Sequence, residues 1–263
     1  MSQGSVREAR RGGVVEIRFS NPAKYNAMSL AMWQDFGRRV RALATDEAVR
    51  VLLLRGDGDK AFISGADISE FDSTRSAQSG SAAYDRAVDE AQNALQDCPF
   101  PVVACIHGVC MGGGLGLVTS CDLRYAARDA RLRMPAARLG LGYGFSGIRR
   151  MEQVLGAARV ADLFFTARTF DGAEAERIGL VQAAYPGEEL DARVADTVAM
   201  IAANAPLTVR LAKRALHLAL AGGDMAAAEA QIERGREACL HSADYAEGRR
   251  AFAEKRSPRF EGR

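Results

Sequence analysis

Two short apolar runs, VRVLLLRG (49–56) and PVVACI (101–106), constrain this chain more than any other feature. A strand apolar on both faces needs cover on both sides, which is the situation of a parallel sheet between helices. Suitable cover lies beside each run. SLAMWQDFGRRVRALATD (29–46) has helical spacing with Ser29 placed to cap it, and SAAYDRAVDEAQNALQDCP (81–99) reads as a helix stopped by Pro99. GVVEIRF (13–19) alternates like a strand, DLRYAA and ARLRM read as two more, and GGLGLVTSC as a short helix. The alternation predicts an α/β fold with parallel strands.

Beyond about residue 187 the strand signal stops. ELDARVADTVAMIAANA, LTVRLAKRALHLALAGG, DMAAAEAQIERGREACLHS and ADYAEGRRAFAEKR are all helical in period. We therefore expect a core over 1–195 and a helical region over 196–263. So small an appendage has little core of its own and needs a surface to pack on. The polar, Ser-rich stretch 72–81 reads as a mobile loop, and no internal repeat is visible.

Composition narrows the function classes. Hydrophobic residues are 48% and charged residues 26% of 263, an ordinary globular profile, and the net charge of +2 offers no general attraction to nucleic acid or an anionic membrane. No run is long and apolar enough to span a bilayer, and the amino-terminal segment lacks the apolar stretch of a secretory signal. A cytoplasmic protein is expected. The five cysteines lie mostly in apolar surroundings without C-x-x-C spacing, and His107, His217 and His241 form no recognisable ligand set. Buried free thiols and no metal centre are the expectation.

Two segments carry candidate chemistry: KAFISGADISEF (60–71) and PVVACIHGVCMGGG (101–114). Each is a strand-like run ending in a glycine-bearing turn. If each turn leads into a helix, each presents backbone N–H groups with a helix dipole behind them, and two such donors aimed at one point make an oxyanion hole.

In order and context these segments resemble the crotonase superfamily, the enoyl-CoA hydratase/isomerase group. The resemblance extends over NPAKYNAMS, AFISGADISEF, GVCMGGGLGLVTSCDLRYAARDARLRMP, LGLGYGFSGIRRMEQVLG, ARTFDGAEAERIGLV and YAEGRRAFAEKRSPRF, nearly the whole chain. It implies a spiral of ββα turns followed by a helical region that mediates trimerisation, as a homotrimer or a dimer of trimers. It implies an acyl-CoA thioester as substrate, with coenzyme A arriving as part of that substrate and no tightly bound cofactor. By position, the thioester oxygen would accept from the backbone N–H groups of Ala66 and Gly113. The loop of Ser64, Gly65, Ala66, Asp67 and Ile68 would wrap the adenine, and Lys24 and Lys255 would lie where coenzyme A phosphates are often met.

The chain departs from the family pattern at the two glutamates that hydratases use to position water and move its proton. Those positions hold Gly116 and Ala136. Neither can transfer a proton, so two-glutamate hydration is not expected. Tyr143 stands where proline is usual, as a tyrosine does in the methylmalonyl-CoA decarboxylases of the family, and the terminal segment also resembles theirs; those enzymes carry histidine where this chain has Ala66. The expected function is a non-hydratase lyase, decarboxylase-like, acting through a thioester enolate with Tyr143 at the site. The alternatives are a non-catalytic acyl-CoA binder, or a hydratase or isomerase with other acid–base groups. Glu70 and Asp72 are expected to be solvated, while Asp122 and His107 are expected to hold the fold.

Overall fold

The computed structural model describes residues 4–67 and 78–263. Its strands and helices follow β1 (Ser5–Arg11), β2 (Val14–Ser20), α1 (Leu30–Ala44), β3 (Val51–Gly56), β4 (Ala61–Ile63), α2 (Gln78–Asp97), β5 (Val102–Ile106), β6 (Val109–Met111) and α3 (Gly113–Val118). Then come β7 (Leu123–Ala127), β8 (Arg131–Arg133), α4 (Phe145–Leu155), α5 (Ala157–Thr166), β9 (Thr169–Asp171), α6 (Gly172–Arg177) and β10 (Ala183–Tyr185). Four helices close the chain: α7 (Gly187–Ala203), α8 (Pro206–Ala221), α9 (Met225–Leu240) and α10 (Ala243–Glu254).

Two sheets share the strands. One has the order β1-β2-β3-β5-β7-β10, parallel throughout except for the β1–β2 pair; the other has the order β4-β6-β8-β9. β3, β5 and β7 of the larger sheet are each followed at once by β4, β6 and β8 of the smaller, and then by a helix. That repeat is a ββα turn, as expected. The corner between the sheets is tight. Gly108 turns at φ 57, and a Cβ there would run into the Lys60 carbonyl.

The apolar runs 49–56 and 101–106 become β3 and β5, which explains their lack of alternation: β5 is buried at every residue, and β3 at all but Arg55. Ser29 caps α1 by accepting from Met32 N–H at 3.2 Å. Trp33, Phe36 and Val40 of α1 enter the core, where Phe19 meets Phe36 and Phe62 edge to face at 5.1 and 5.8 Å. β1 has no clear sequence signal because, at the sheet's edge, it buries only Val6 and is otherwise mostly charged. Of the expected loop 72–81, residues 72–77 lie outside the described residues, and 78–81 already belong to α2.

α7 lays Leu190, Val194 and Val198 on the larger sheet, and the expected boundary at 195/196 falls inside this helix. The next helices pack differently. Pro206 is the one buried residue of α8, and α9 has none. Polar anchors hold them instead. Lys213 on α8 donates to Phe100 O at 2.9 Å and pairs with Asp122 at 2.8 Å, while Asp122 also accepts from Val102 N–H at 2.7 Å. Asp122 thus supports the fold, as expected. Arg50 ties the carboxyl-terminal segment down by donating to Ala202 O at 2.9 Å and to Phe260 O. Large apolar side chains such as Leu216 and Phe252 stay exposed in the single chain. Among the described residues no helix is long and apolar enough to cross a membrane.

Candidate active site

β4 and β6 are parallel neighbours, with Ala61 opposite Val109 and Ile63 opposite Cys110. Their carboxyl ends therefore lie side by side. The turn Ser64–Asp67 leaves one end and Gly112–Gly114 leaves the other, the usual location for ligand sites in α/β sheets.

The first turn is held by Met28, whose N–H donates to Gly65 O and whose carbonyl accepts from Asp67 N–H, both at 2.9 Å. These bonds make Ala66 the bridge partner of Met28. In a parallel bridge the flanking residues supply the hydrogen bonds, so the Ala66 N–H is directed away from Met28. Tyr84 reinforces the turn by donating to Met28 O at 3.1 Å and accepting from Trp33 Nε1 at 2.9 Å.

In the second turn Gly112 takes φ 53, and α3 starts at Gly113. The helix's first bond returns from Gly116 N–H to Gly112 O at 3.1 Å, so the N–H groups of residues 113–115 have no acceptor within the helix. Close approach explains the glycines. A Cβ on Gly114 would come 2.6 Å from Ile63 O, and one on Gly113 would come 3.3 Å from Trp33 Cζ2. Alanine at 114 would push α3 off the end of β4.

The first loop gathers several predicted site residues. Lys24 Nζ bonds both carboxylate oxygens of the buried Asp67, at 2.9 and 2.8 Å, and Ser64 Oγ donates to Lys24 O at 3.1 Å. The Lys24 charge is thus balanced by Asp67. Ile68, Glu70 and Asp72 lie outside the described residues. Lys255 caps α10 at φ 55, and no described contact joins it to this loop.

Tyr143 precedes α4, and its ring meets Phe164 edge to face at 5.2 Å. Two glycines make room for it. A Cβ on Gly147 would overlap the Tyr143 ring, and one on Gly116 would overlap its hydroxyl. The second position is one of the two where the sequence departs from the pattern it resembles. The other, Ala136, is buried and follows Pro135, whose ring lies 3.9 Å from where a Gly112 Cβ would stand. Burial pushes the Tyr143 phenol up to about 12, Arg150 pulls against that rise and Asp89 adds to it. The hydroxyl is neutral at pH 7 and can donate a hydrogen bond.

Behind Tyr143 is a polar group that sequence reasoning missed. Arg150 Nη2 donates to Gln92 Oε1 at 2.6 Å, and Nη1 donates to Asn93 Oδ1 at 3.0 Å. Asp89 lies 3.5 Å from Arg150 and accepts from Ser146 Oγ at 3.0 Å. Gln92 Nε2 would lie 2.8 Å from a Cβ on Gly116. A signal existed: Gln92 stands on the face of α2 shared by Ala91 and Leu95, an otherwise apolar stripe.

Other polar groups near these turns have structural partners. Arg133 Nε donates to Ala167 O at 2.7 Å. Cys105, His107 and Asp191 place ligand atoms within 4.8 Å of one another. Asp191 is already paired with Arg55 and bonded by His107 at 2.8 Å, so a guanidinium stands where a metal cation would be repelled. Burial opposes the Asp191 charge, but Arg55 and His107 outweigh it and hold the carboxyl at about 2. His107 thus holds α7 to the end of β5. Cys98, Cys105, Cys110 and Cys121 are buried free thiols, pushed upward by burial.

The ββα repeat, with two glycine turns meeting at neighbouring strand ends, defines an α/β protein of crotonase fold. The family model for enoyl-CoA hydratase/isomerase matches residues 9–263, and the chain belongs to that family. It is 30% identical to a peroxisomal Δ(3,5)-Δ(2,4)-dienoyl-CoA isomerase of Arabidopsis thaliana, covering 97% of this chain and 95% of the isomerase. It is 29% identical to the short-chain-enoyl-CoA hydratase of Clostridium acetobutylicum, covering 97% of each. The crystal structure of an enoyl-CoA hydratase from Bacillus anthracis superposes with a TM-score of 0.92 at 29% identity, over 98% of this chain and 99% of that one.

Proposed function

We propose that this protein binds an acyl-CoA thioester at the paired strand ends and stabilises the enolate formed from it. The Ala66 and Gly113 N–H groups would receive the thioester oxygen. Both belong to backbone fixed by other contacts, so they stabilise the developing charge with little reorganisation. Lys24, Ser64, Gly65 and Asp67 form the entrance that would meet the nucleotide end, and coenzyme A arrives with the substrate.

The observation that carries the finer reading is the Tyr143 hydroxyl occupying the side-chain space of residue 116. A glutamate there would displace the Tyr143 hydroxyl and the Gln92 amide, and residue 136 is alanine. The reading is a lyase of decarboxylase type. The bond from the α-carbon to the carboxylate breaks, its electron pair becomes the enolate, carbon dioxide leaves, and the α-carbon then takes a proton. The first step needs no base. Tyr143 supplies a neutral donor to the departing carboxylate or to the water that returns the proton.

The names of the relatives favour a second reading, a hydratase or isomerase with different acid–base groups. Assaying methylmalonyl-CoA and crotonyl-CoA side by side separates the two. Carbon dioxide release slowed by Tyr143→Phe supports the lyase, and hydration of crotonyl-CoA at enzymatic rates rejects it. Intact thioesters that nevertheless raise the melting temperature would indicate a binder without catalysis.

The exposed apolar faces of α8–α10 support self-association as a trimer or a dimer of trimers, since these helices bury little within one chain.

A further inference from the structure

Gln92 is 1% exposed, and its Nε2 is buried with no hydrogen-bond partner among the described residues. Leaving such a donor unmet forfeits the hydrogen bond it would make to water in the unfolded chain. The amide cannot relieve this by turning over. Arg150 donates to Oε1, and exchanging the two ends would set an NH2 against a guanidinium N–H. Arg150 is itself held by Asn93 and Asp89, so the orientation is imposed from behind.

The free amide points toward Gly116. The Tyr143 hydroxyl converges on the same point and has no hydrogen-bond partner among the described residues. Gly116 and Gly113 are three apart on α3 and share one face of it. Two groups able to donate, with no hydrogen bond between them among the described residues, thus flank Gly116, three residues along α3 from the N–H proposed to receive the thioester oxygen.

We propose that Gln92 and Tyr143 form a recognition subsite for an oxygen acceptor on the acyl group, a carboxylate or a keto oxygen close to the thioester carbonyl. A plain hydrocarbon chain leaves both donors unmet. An acyl oxygen satisfies them, and the Arg150 guanidinium behind the amide reinforces its donor character. Sites built to hydrogen-bond a ligand group discriminate strongly against analogues that lack it. This inference rests on the acyl-CoA reading above and assigns Gln92 a role in selecting the substrate.

The test is calorimetric titration of the full chain with butyryl-CoA, malonyl-CoA and acetoacetyl-CoA, with thioester integrity followed by mass spectrometry. Malonyl-CoA or acetoacetyl-CoA should bind about tenfold or more tightly than butyryl-CoA, which corresponds to ~1.4 kcal/mol. The preferred one identifies the acceptor as carboxylate or keto oxygen. Gln92→Glu keeps the shape and the Arg150 partner but removes the donor, and the preference should fall to within about twofold. Gln92→Leu should do the same, with melting curves showing that each variant is folded. Butyryl-CoA binding as tightly as both oxygenated thioesters overturns the subsite alone. So does a preference that survives in folded Gln92→Glu. No binding of any of the three overturns the acyl-CoA reading and this inference with it.

Discussion

The Tyr143 hydroxyl fills the space that a side chain on residue 116 would need, so tyrosine at 143 and glycine at 116 form a matched pair. One helix start and one loop meet at this point, and a change at either residue is felt at the other.

Gly116→Ala should therefore destabilise the protein by about 1–3 kcal/mol through overpacking. Tyr143→Phe removes the closer of the two overlapping groups, leaving the Gln92 amide, and should recover part of that loss. Urea unfolding of the two single variants and the double variant measures the coupling. Additive effects would mean that the two residues do not compete for the same space.

The Tyr143 phenol is raised from 10.0 to about 12, chiefly by burial. Its neutral form is favoured in the folded state, so this contribution to stability is complete below pH 10. It should fall between pH 10 and 12 as the unfolded chain ionises first, by an amount on the order of 2 kcal/mol. Phenolate absorbance should show one late-titrating tyrosine that Tyr143→Phe removes. A titration without that late component would contradict this upward shift.

Ala66→Pro removes one of the two proposed oxyanion donors. On whichever thioester the protein turns over, the rate should drop by about 10²–10³ while the melting temperature holds. Single-turnover kinetics reads the chemical step directly. A folded variant at full rate would remove Ala66 from the site.

Lys213→Met should cost about 1–3 kcal/mol because Phe100 O and Asp122 lose a donor they share beneath α8. Hydrogen exchange should rise in α8 before it rises in β5. Uniform exchange across both elements would show that α8 does not depend on this anchor.

Sedimentation of the wild-type chain should show a species larger than a monomer. Leu216→Asp and Phe252→Asp place charge on faces that are 67% and 88% exposed in the single chain, so both should shift the protein toward monomer. A wild-type monomer at micromolar concentration would remove self-association from the account.

Much of the fold was legible along the chain. β3 and β5 showed as apolar runs, α1 announced its cap at Ser29, and the glycine triplet marked the start of α3. β4 showed only as the short strand-like start of KAFISGADISEF, and β6 did not show, because three residues are too few to display a period. Yet it is these strands that place the two glycine turns side by side.

The sequence by itself determined the α/β alternation, the glycines that allow close backbone approach and the lack of carboxylates at 116 and 136. These are properties of local period and residue type. Only the tertiary structure brought Gln92 from α2, Gly116 from α3, and Tyr143 and Arg150 from the α4 region onto one point. No local period links those positions. Their meeting depends on how α2, α3 and α4 pack, and that packing sets which donors meet beside Gly116.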